Sequence, residues 1–417
     1  QNDAYREFYD SCYYQYSLVC PFYERFFQLA GGERLDEDLF TNGENRWSHK
    51  QAGYVGAIVG NNFMKRTFGQ KLIEEIIPQT DLTHVVDTSG AYIPGHGTPT
   101  VMLFGRNRDP QLDTVRAALG IRGEPSTPED PANAKVWSSI RDHIKEPGFE
   151  NDFITIADKP RNLFEEHPWS LRGGGVLAGK FQVETAGTAL SSEISGGIGR
   201  AARTGADPIF FLEKMNVTRR GFERNYFRPL LVGENLRDWE ENPFGCIWFP
   251  YDADLEVIEP NNASQTLRGL WRHRSKLAKR ATFSGDMSDA GLEWYEYMQY
   301  TPSANETPLS ITFAFVATHN HFALDRGGKV FNRSAPVIKL PQDSDEDDHL
   351  EILGPLNSST GCFWMKQVFH NKGEGGGTRV ESGHSAMGNE AWKNHYEQAG
   401  TGMKDFPLPA ERPVPIP

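Results

Sequence analysis

Cysteine is scarce in this chain of 417 residues. The four present, Cys12, Cys20, Cys246 and Cys362, are scattered without the spacing of a metal site or a disulfide framework. They read as small buried hydrophobes in a reducing compartment, and the expected location is cytoplasmic. Long apolar runs are missing too: none approaches the roughly 18 residues that a membrane span needs. The N-terminus lacks the charged, apolar and small-residue succession of a signal peptide. There is no G-x-S-x-G elbow, no P-loop and no zinc-spaced set. Positive charge is in deficit: 43 Lys and Arg face 56 Asp and Glu, for a net charge of −13. That argues against indiscriminate polyanion binding, yet it leaves room for a local basic face. No methionine begins the chain. It opens on Gln1, directly into "AYREFYDSCYYQYSLVCPFYERFFQLAGG", and the expectation is a fragment whose upstream part is missing.

What is present reads first as alternating elements. Residues 1–30 are expected to be helical, with Pro21 in a first turn and Gly31–Gly32 as the stop. "GYVGAIVG" (53–60) reads as a short buried strand. "RTFGQKLIEEII" then puts Phe68, Leu72, Ile73, Ile76 and Ile77 on one helical face, ended by Pro78. Strands follow at 82–88 and 100–106. The first connection is long enough for a parallel crossover, while the second is too short for one, so the last strand is expected to return antiparallel. In such sheets ligands sit at the carboxyl ends of the parallel strands. The loop "SGAYIPGHGT" (89–98) leaves from that edge.

Beyond residue 108 the composition turns polar and rich in proline. The organisation expected is a sheet-forming region over 1–110, a polar linker or insertion over 111–186, a second region over 187–372, and a flexible tail over 373–417. Acid is concentrated in "DSDEDDHLE" (343–351), which reads as a solvated loop. Three constellations carry chemistry. "SGGIGRAARTG" (195–205) has glycines near a dinucleotide spacing, but "TALSSEI" before it is a poor strand and no ribose-binding acid follows convincingly. A glycine-rich loop that brings Arg200 and Arg203 to a phosphate backbone is the better reading. "RGLWRHRSKLAKR" (268–280) is the strongest basic segment. At helical spacing Leu270, Trp271 and Leu277 face a core while Arg272, Arg274, Lys276, Lys279 and Arg280 project outward, either as a solvated face or as DNA-backbone contacts. "THNHF" places His319 and His321 on one face of a strand, without the further ligands that a metal needs.

The stretch "GYVGAIVGNNFMKRTFGQKLIEEIIPQTDLTHVVDTSGAYIPGHGTPTVMLFGR" resembles N6-adenine DNA methyltransferases, and more closely those of type 2 BREX phage-defence systems. "ISGGIGRAARTGADPIFFL", "YFRPLLVGENLRDW" and "ILGPLNSSTGCFW" are similar to landmarks of the target-recognition domains of large restriction-methylation enzymes. The resemblance implies an α/β fold: the C-terminal half of a Rossmann-like S-adenosylmethionine-dependent methyltransferase sheet, ending in an antiparallel strand. A mixed α+β target-recognition domain follows. The implied substrate is an adenine flipped out of double-stranded DNA, with other BREX defence proteins as further partners. In this family the glycine-rich cofactor motif and the Asn-Pro-Pro-Tyr motif lie upstream, and neither occurs in this chain. The chain alone is therefore expected not to methylate. The alternative is a non-catalytic DNA-recognition subunit that acts with a partner methyltransferase.

The same resemblance makes the 89–98 loop the wall beside the flipped base. The family's wall residue aligns with Ile93, before Pro94, while Tyr92 offers an aromatic ring at the neighbouring position. Gly95 and Gly97 let the backbone approach DNA, and His96 or Thr98 donates to a phosphate. Asn62 and Phe63, beside Asn61, shape the base pocket; capping of a helix is the alternative role for an asparagine there.

Overall fold

The computed structural model describes residues 2–30, 52–95, 98–237, 239–243, 245–282, 284–302, 308–374 and 394–412. They fold as two compact units, Gln1–Val183 with Lys366–Glu397, and Glu184–Met365 with Gln398–Pro417. No helix among the described residues is long and apolar enough to cross a membrane.

In the first unit, helices α1 (Asn2–Arg6) and α2 (Val19–Leu29) precede the sheet, so the helix expected over 1–30 is interrupted. Five strands form a mixed sheet: β1 (Tyr54–Gly60), β2 (Asp81–Asp87), β3 (Thr100–Arg106), β4 (Thr114–Gly120) and β5 (Ile154–Pro160), in the order β1-β3-β2-β4-β5, and the strands His370–Glu374 and Asn394–Glu397 pair antiparallel outside it. β3 runs antiparallel to both β1 and β2. β1 and β2 therefore share a direction, and the returning strand lies between them. β4 pairs parallel with β2, and β5 antiparallel with β4.

Side-chain alternation splits each strand between two cores. Val85, Leu103 and Ala117 join α2 residues Cys20, Tyr23 and Phe27 on one face. Val86 and Ala118 pack on the other with Val136 and Ile140 of helix α3 (Lys135–His143). The stretch 111–186 is thus no linker. It supplies β4, α3 and β5, whose short apolar runs are diluted by the proline-rich segment around them. β1 is not a buried strand either: it occupies a sheet edge, with Tyr54 81% and Ile58 57% exposed.

The crossover from β1 to β2 buries Phe68, Leu72, Ile73 and Ile77 as expected, but not as a regular helix. It is a run of tight turns with one π-helical turn at Leu72–Ile76, and Pro78 lies in the last turn. Gly69 sits against the preceding backbone, where an added Cβ would lie 1.9 Å from the Phe63 carbonyl oxygen.

The second unit is built from short strands around an aromatic core that includes Phe210, Trp248, Phe249, Tyr251, Tyr295 and Tyr297. The Trp248 indole donates to the Tyr295 carbonyl at 3.0 Å, and the Tyr295 hydroxyl donates to that of Ile258 at 3.0 Å. The Trp248 and Tyr295 polar tips therefore find partners within this core. The acidic run is not a loop: Asp345 and Asp348 form a capping box at the start of the helix Glu346–Asn357, whose dipole favours acid in its first turn. Part of the supposed tail is ordered as well, since Pro407–Pro409 pairs antiparallel with Gly187–Ala189.

Candidate functional site

At the carboxyl end of β2 the backbone is stapled before the wall loop departs. The Ser89 amide donates to Asp87 Oδ1 at 2.9 Å, the hydroxyls of Thr88 and Thr100 lie 2.7 Å apart, and the Glu124 amide donates to the Gly90 carbonyl at 3.0 Å. The Asn61 amide donates to the Pro99 carbonyl at 3.0 Å, which ties the turn after β1 to the far end of the same loop. Asn62 and the loop carrying Tyr92, Ile93 and Pro94 thus meet at one sheet edge. Tyr92 and Ile93 are half-buried, whereas Pro94, Gly95 and Thr98 are exposed, with Gly95 at φ +69°. His96 and Gly97 lie outside the described residues.

Phe63 is corrected. It is 0% exposed and packs edge-on against Trp169, with ring centroids 5.7 Å apart, so it belongs to the core beneath the turn and cannot face a base. Asn62 caps no helix. Its Oδ1 is buried without a hydrogen-bond partner, a state that costs about 1–3 kcal/mol unless a ligand supplies a donor.

Beside the loop lies a polar cleft that the sequence did not reveal. Asn61 and Lys65 reach it from the end of β1, Asp87 and Ser89 from the end of β2, and Arg172 from a segment bridged to Gly120 at the end of β4. Lys366 and His370 complete its charged lining. Burial, reinforced by Arg172 and Lys180, holds the Lys65 ammonium well below the usual lysine range. Burial likewise raises the Asp87 carboxyl, against the hydrogen bonds from Ser89. His370 is pushed down to about 4, first by burial and then by Arg66. These residues are scattered through the sequence; the one signal was charge placed just after strand ends.

In the second unit, Arg200 and Arg203 are exposed as expected. The glycine-rich loop lacks a nucleotide-binding frame: Gly199 forms an isolated bridge to Val337, and the helix that follows, Asp207–Phe210, is a single turn. The basic segment divides. Leu270 and Leu277 are buried while Arg272, Arg274, Lys276 and Lys279 are exposed. Arg280 is corrected: it is 7% exposed, and its guanidinium donates to the carbonyls of Leu277, Trp294 and Glu296 at 2.8 Å each and to that of Thr204. Burial lowers it to about 10. Trp271 is corrected in the opposite sense. It is 59% exposed, edge-on to Trp294 and covered by the Arg274 guanidinium 4.8 Å from its ring centre. Trp271 opens a tight turn, Trp271–His273, that separates the helices Ser264–Leu270 and Arg274–Ala278, and Arg280 lies beyond the end of the second helix, so no single helical phase runs through the segment. His319 and His321 lie between strands Val316–Ala317 and Phe322–Asp325 rather than on one, with ring centroids 4.1 Å apart.

No family model matches the chain. It is 38% identical over 418 residues, 99% of its length, to the adenine-specific methyltransferase PglX of Streptomyces coelicolor (strain ATCC BAA-471 / A3(2) / M145), and spans 33% of that protein. The resemblance read from the sequence is borne out to that extent. Among solved structures, the type IIL restriction-modification enzyme MmeI in complex with DNA gives a TM-score of 0.45 at 11% identity, over 76% of this chain and 36% of that one. The type IIG restriction endonuclease BpuSI gives 0.32 at 10% identity, over 76% and 37%. Likenesses this distant carry no argument.

Proposed function

We propose that this chain carries the target-base wall and the DNA-reading part of an adenine-N6 DNA methyltransferase of the PglX kind. The observation behind this reading is the 38% identity that runs along 99% of the chain. The sheet supports it. β1 and β2 share a direction and β3 returns between them, the arrangement expected where a Rossmann-like methyltransferase sheet closes. The wall loop and the Asn62 turn then lie at the carboxyl ends of the parallel strands, where such sheets take their ligands.

S-adenosylmethionine, the implied donor, supplies an electrophilic methyl group on a sulfonium cation. The described cleft does not fit it. Three cationic side chains, Lys65, Arg172 and Lys366, line it against one carboxylate, Asp87, a lining that does not suit a sulfonium. Donor binding is therefore assigned to the part of the methyltransferase that this chain does not span, and the residues here act on DNA. Flipping an adenine costs a few kcal/mol, and stacking returns about 1–3 kcal/mol per base. Because these are comparable, the wall at Tyr92, Ile93 and Pro94 decides whether the flipped state is populated. Asn62, on the turn after β1, shapes the pocket for the extruded base. Gly95 and Thr98, together with Arg200, Arg203, Arg272, Arg274, Lys276 and Lys279, serve as backbone contacts. Other BREX defence proteins are the further partners in this reading.

A second reading, a recognition subunit that acts with a separate methyltransferase, is favoured by one observation: the Asn-Pro-Pro-Tyr motif is absent from these 417 residues. Labelled methyl transfer to DNA by the longer protein that contains this chain separates the two. Tyr92→Ala or Ile93→Ala should slow transfer by about 5- to 150-fold, the equivalent of the stacking energy, with DNA binding retained. Unchanged turnover in both variants would sink the wall assignment. A requirement for a second polypeptide would favour the recognition subunit.

A further inference from the structure

Three arginines in "TRRGFER" (218–224) stand far ahead of the strongest basic run in sequence, yet the fold sets them beside it. The helix Lys214–Arg219 ends in a Schellman turn. The amide of Gly221, at φ +67°, donates to the Thr218 carbonyl, and the Phe222 amide donates to that of Val217, each at 3.1 Å. From this turn the chain packs onto the helix Ser264–Leu270, where the basic run begins. The Phe222 ring lies on Gly269, where an added Cβ would come within 2.4 Å of it. Glu223 accepts from the Gln265 and Thr266 amides at 2.9 Å each. The acid among these arginines is thereby engaged by first-turn amides of the neighbouring helix. Arg219, Arg220 and Arg224 are all exposed, and among the described residues none of them makes an ion pair. Arg220 is held by a ring instead, its guanidinium 6.0 Å from the centre of Phe222, as Arg274 lies 4.8 Å over Trp271. An arginine held by a ring keeps its charge and its fork of N–H donors for another molecule. On a chain of net charge −13, two such strips tethered side by side concentrate positive charge against the overall balance.

We propose that Arg219–Arg224 and Arg268–Lys279 form one docking surface for the phosphate backbone of duplex DNA, with Arg219, Arg220 and Arg224 as contacts additional to those of the basic run. The occupant rests on the DNA-methyltransferase reading; the surface rests on the tethers at Phe222 and Glu223. A duplex carries phosphate charge along both strands, so two strips of cations engage it at more points than one helix face can. Guanidinium forks suit phosphate oxygens, which they meet in pairs. Such contacts carry no sequence information; they fix the register and angle at which the second unit sits on the duplex.

The test is the salt dependence of duplex-DNA binding by the full chain, for the parent and for Arg219→Gln, Arg220→Gln and Arg224→Gln combined. Each lost phosphate contact lowers the slope of log affinity against log salt by about 0.9, so the slope of this variant should fall by about 2–3. A second triple variant, Arg25→Gln, Lys135→Gln and Lys145→Gln, removes the same charge from exposed positions of the first unit and should leave the slope unchanged. Equal falls in the two variants, or a fall of less than about 1 in the first, would overturn the surface. Arg224→Gln alone leaves the Schellman turn intact and should lower the slope by about 0.9, which keeps the test decisive if the triple variant folds poorly. Binding of poly-L-glutamate as tight as that of DNA at equal charge would overturn DNA as the occupant. No methyl donor enters these measurements. The expected slopes without methyl transfer by the longer protein would refute the methyltransferase reading alone, and retained transfer with an unchanged slope in the variant would refute the surface alone.

Discussion

Arg280 donates to four main-chain carbonyls, whereas Arg274 lies open to solvent over the Trp271 ring. Both belong to one basic run, and outward projection was expected of both. One helical spacing over the whole run could not separate them, because the helix Arg274–Ala278 ends before Arg280, whose guanidinium turns back to the Leu277 carbonyl. The difference is measurable. Arg280→Met leaves the carbonyls of Thr204, Trp294 and Glu296 without the guanidinium donor and should cost about 3–5 kcal/mol in urea unfolding. Arg274→Met should stay within about 0.5 kcal/mol of the parent, while lowering the salt slope of DNA binding by about 0.9. Equal stability of the two variants would contradict the buried role of Arg280. Asn62 and Phe63 teach the same lesson at another site. They are neighbours in sequence, yet the aromatic side chain fills the core and the amide oxygen is buried unpartnered.

At the level of elements, β2 and β3 were legible almost to the residue, because short β-branched runs bounded by turn residues read clearly. The antiparallel return was legible from connection length. β4 and β5 were not, since "TVRAALG" and "ITIADKP" sit inside a segment whose prolines and charges dominate any average. The crossover was half legible: the burial of Phe68, Leu72, Ile73 and Ile77 was read correctly, but its irregular path was not. Close packing of Gly69 on the Phe63 carbonyl, which no periodicity encodes, accompanies that path. Gly69→Ala places a methyl carbon 1.9 Å from that oxygen and should destabilise the first unit by about 2–4 kcal/mol through forced backbone movement. An unfolding midpoint within experimental error of the parent would show that the turn is free to shift.

For the molecule as a whole, the expected breaks at residues 110 and 186 became one break near 183, with residues 366–397 returning to the first unit. Composition marks where a chain is polar; it does not say which strands a polar stretch delivers to a sheet. The wall loop was legible through its position between two strands and through the family resemblance. The cation-rich cleft was not, because Lys65, Asp87, Arg172 and His370 come together only when segments far apart in sequence meet at the carboxyl ends of β1, β2 and β4. The central claim concerns what happens to DNA at that edge. Its most direct test is to incubate the longer protein containing this chain with DNA and labelled S-adenosylmethionine, then digest the DNA and identify the labelled nucleoside. Label in N6-methyladenine is the expected result, and label in a methylated cytosine, or none on the DNA when all partner proteins are supplied, would contradict it.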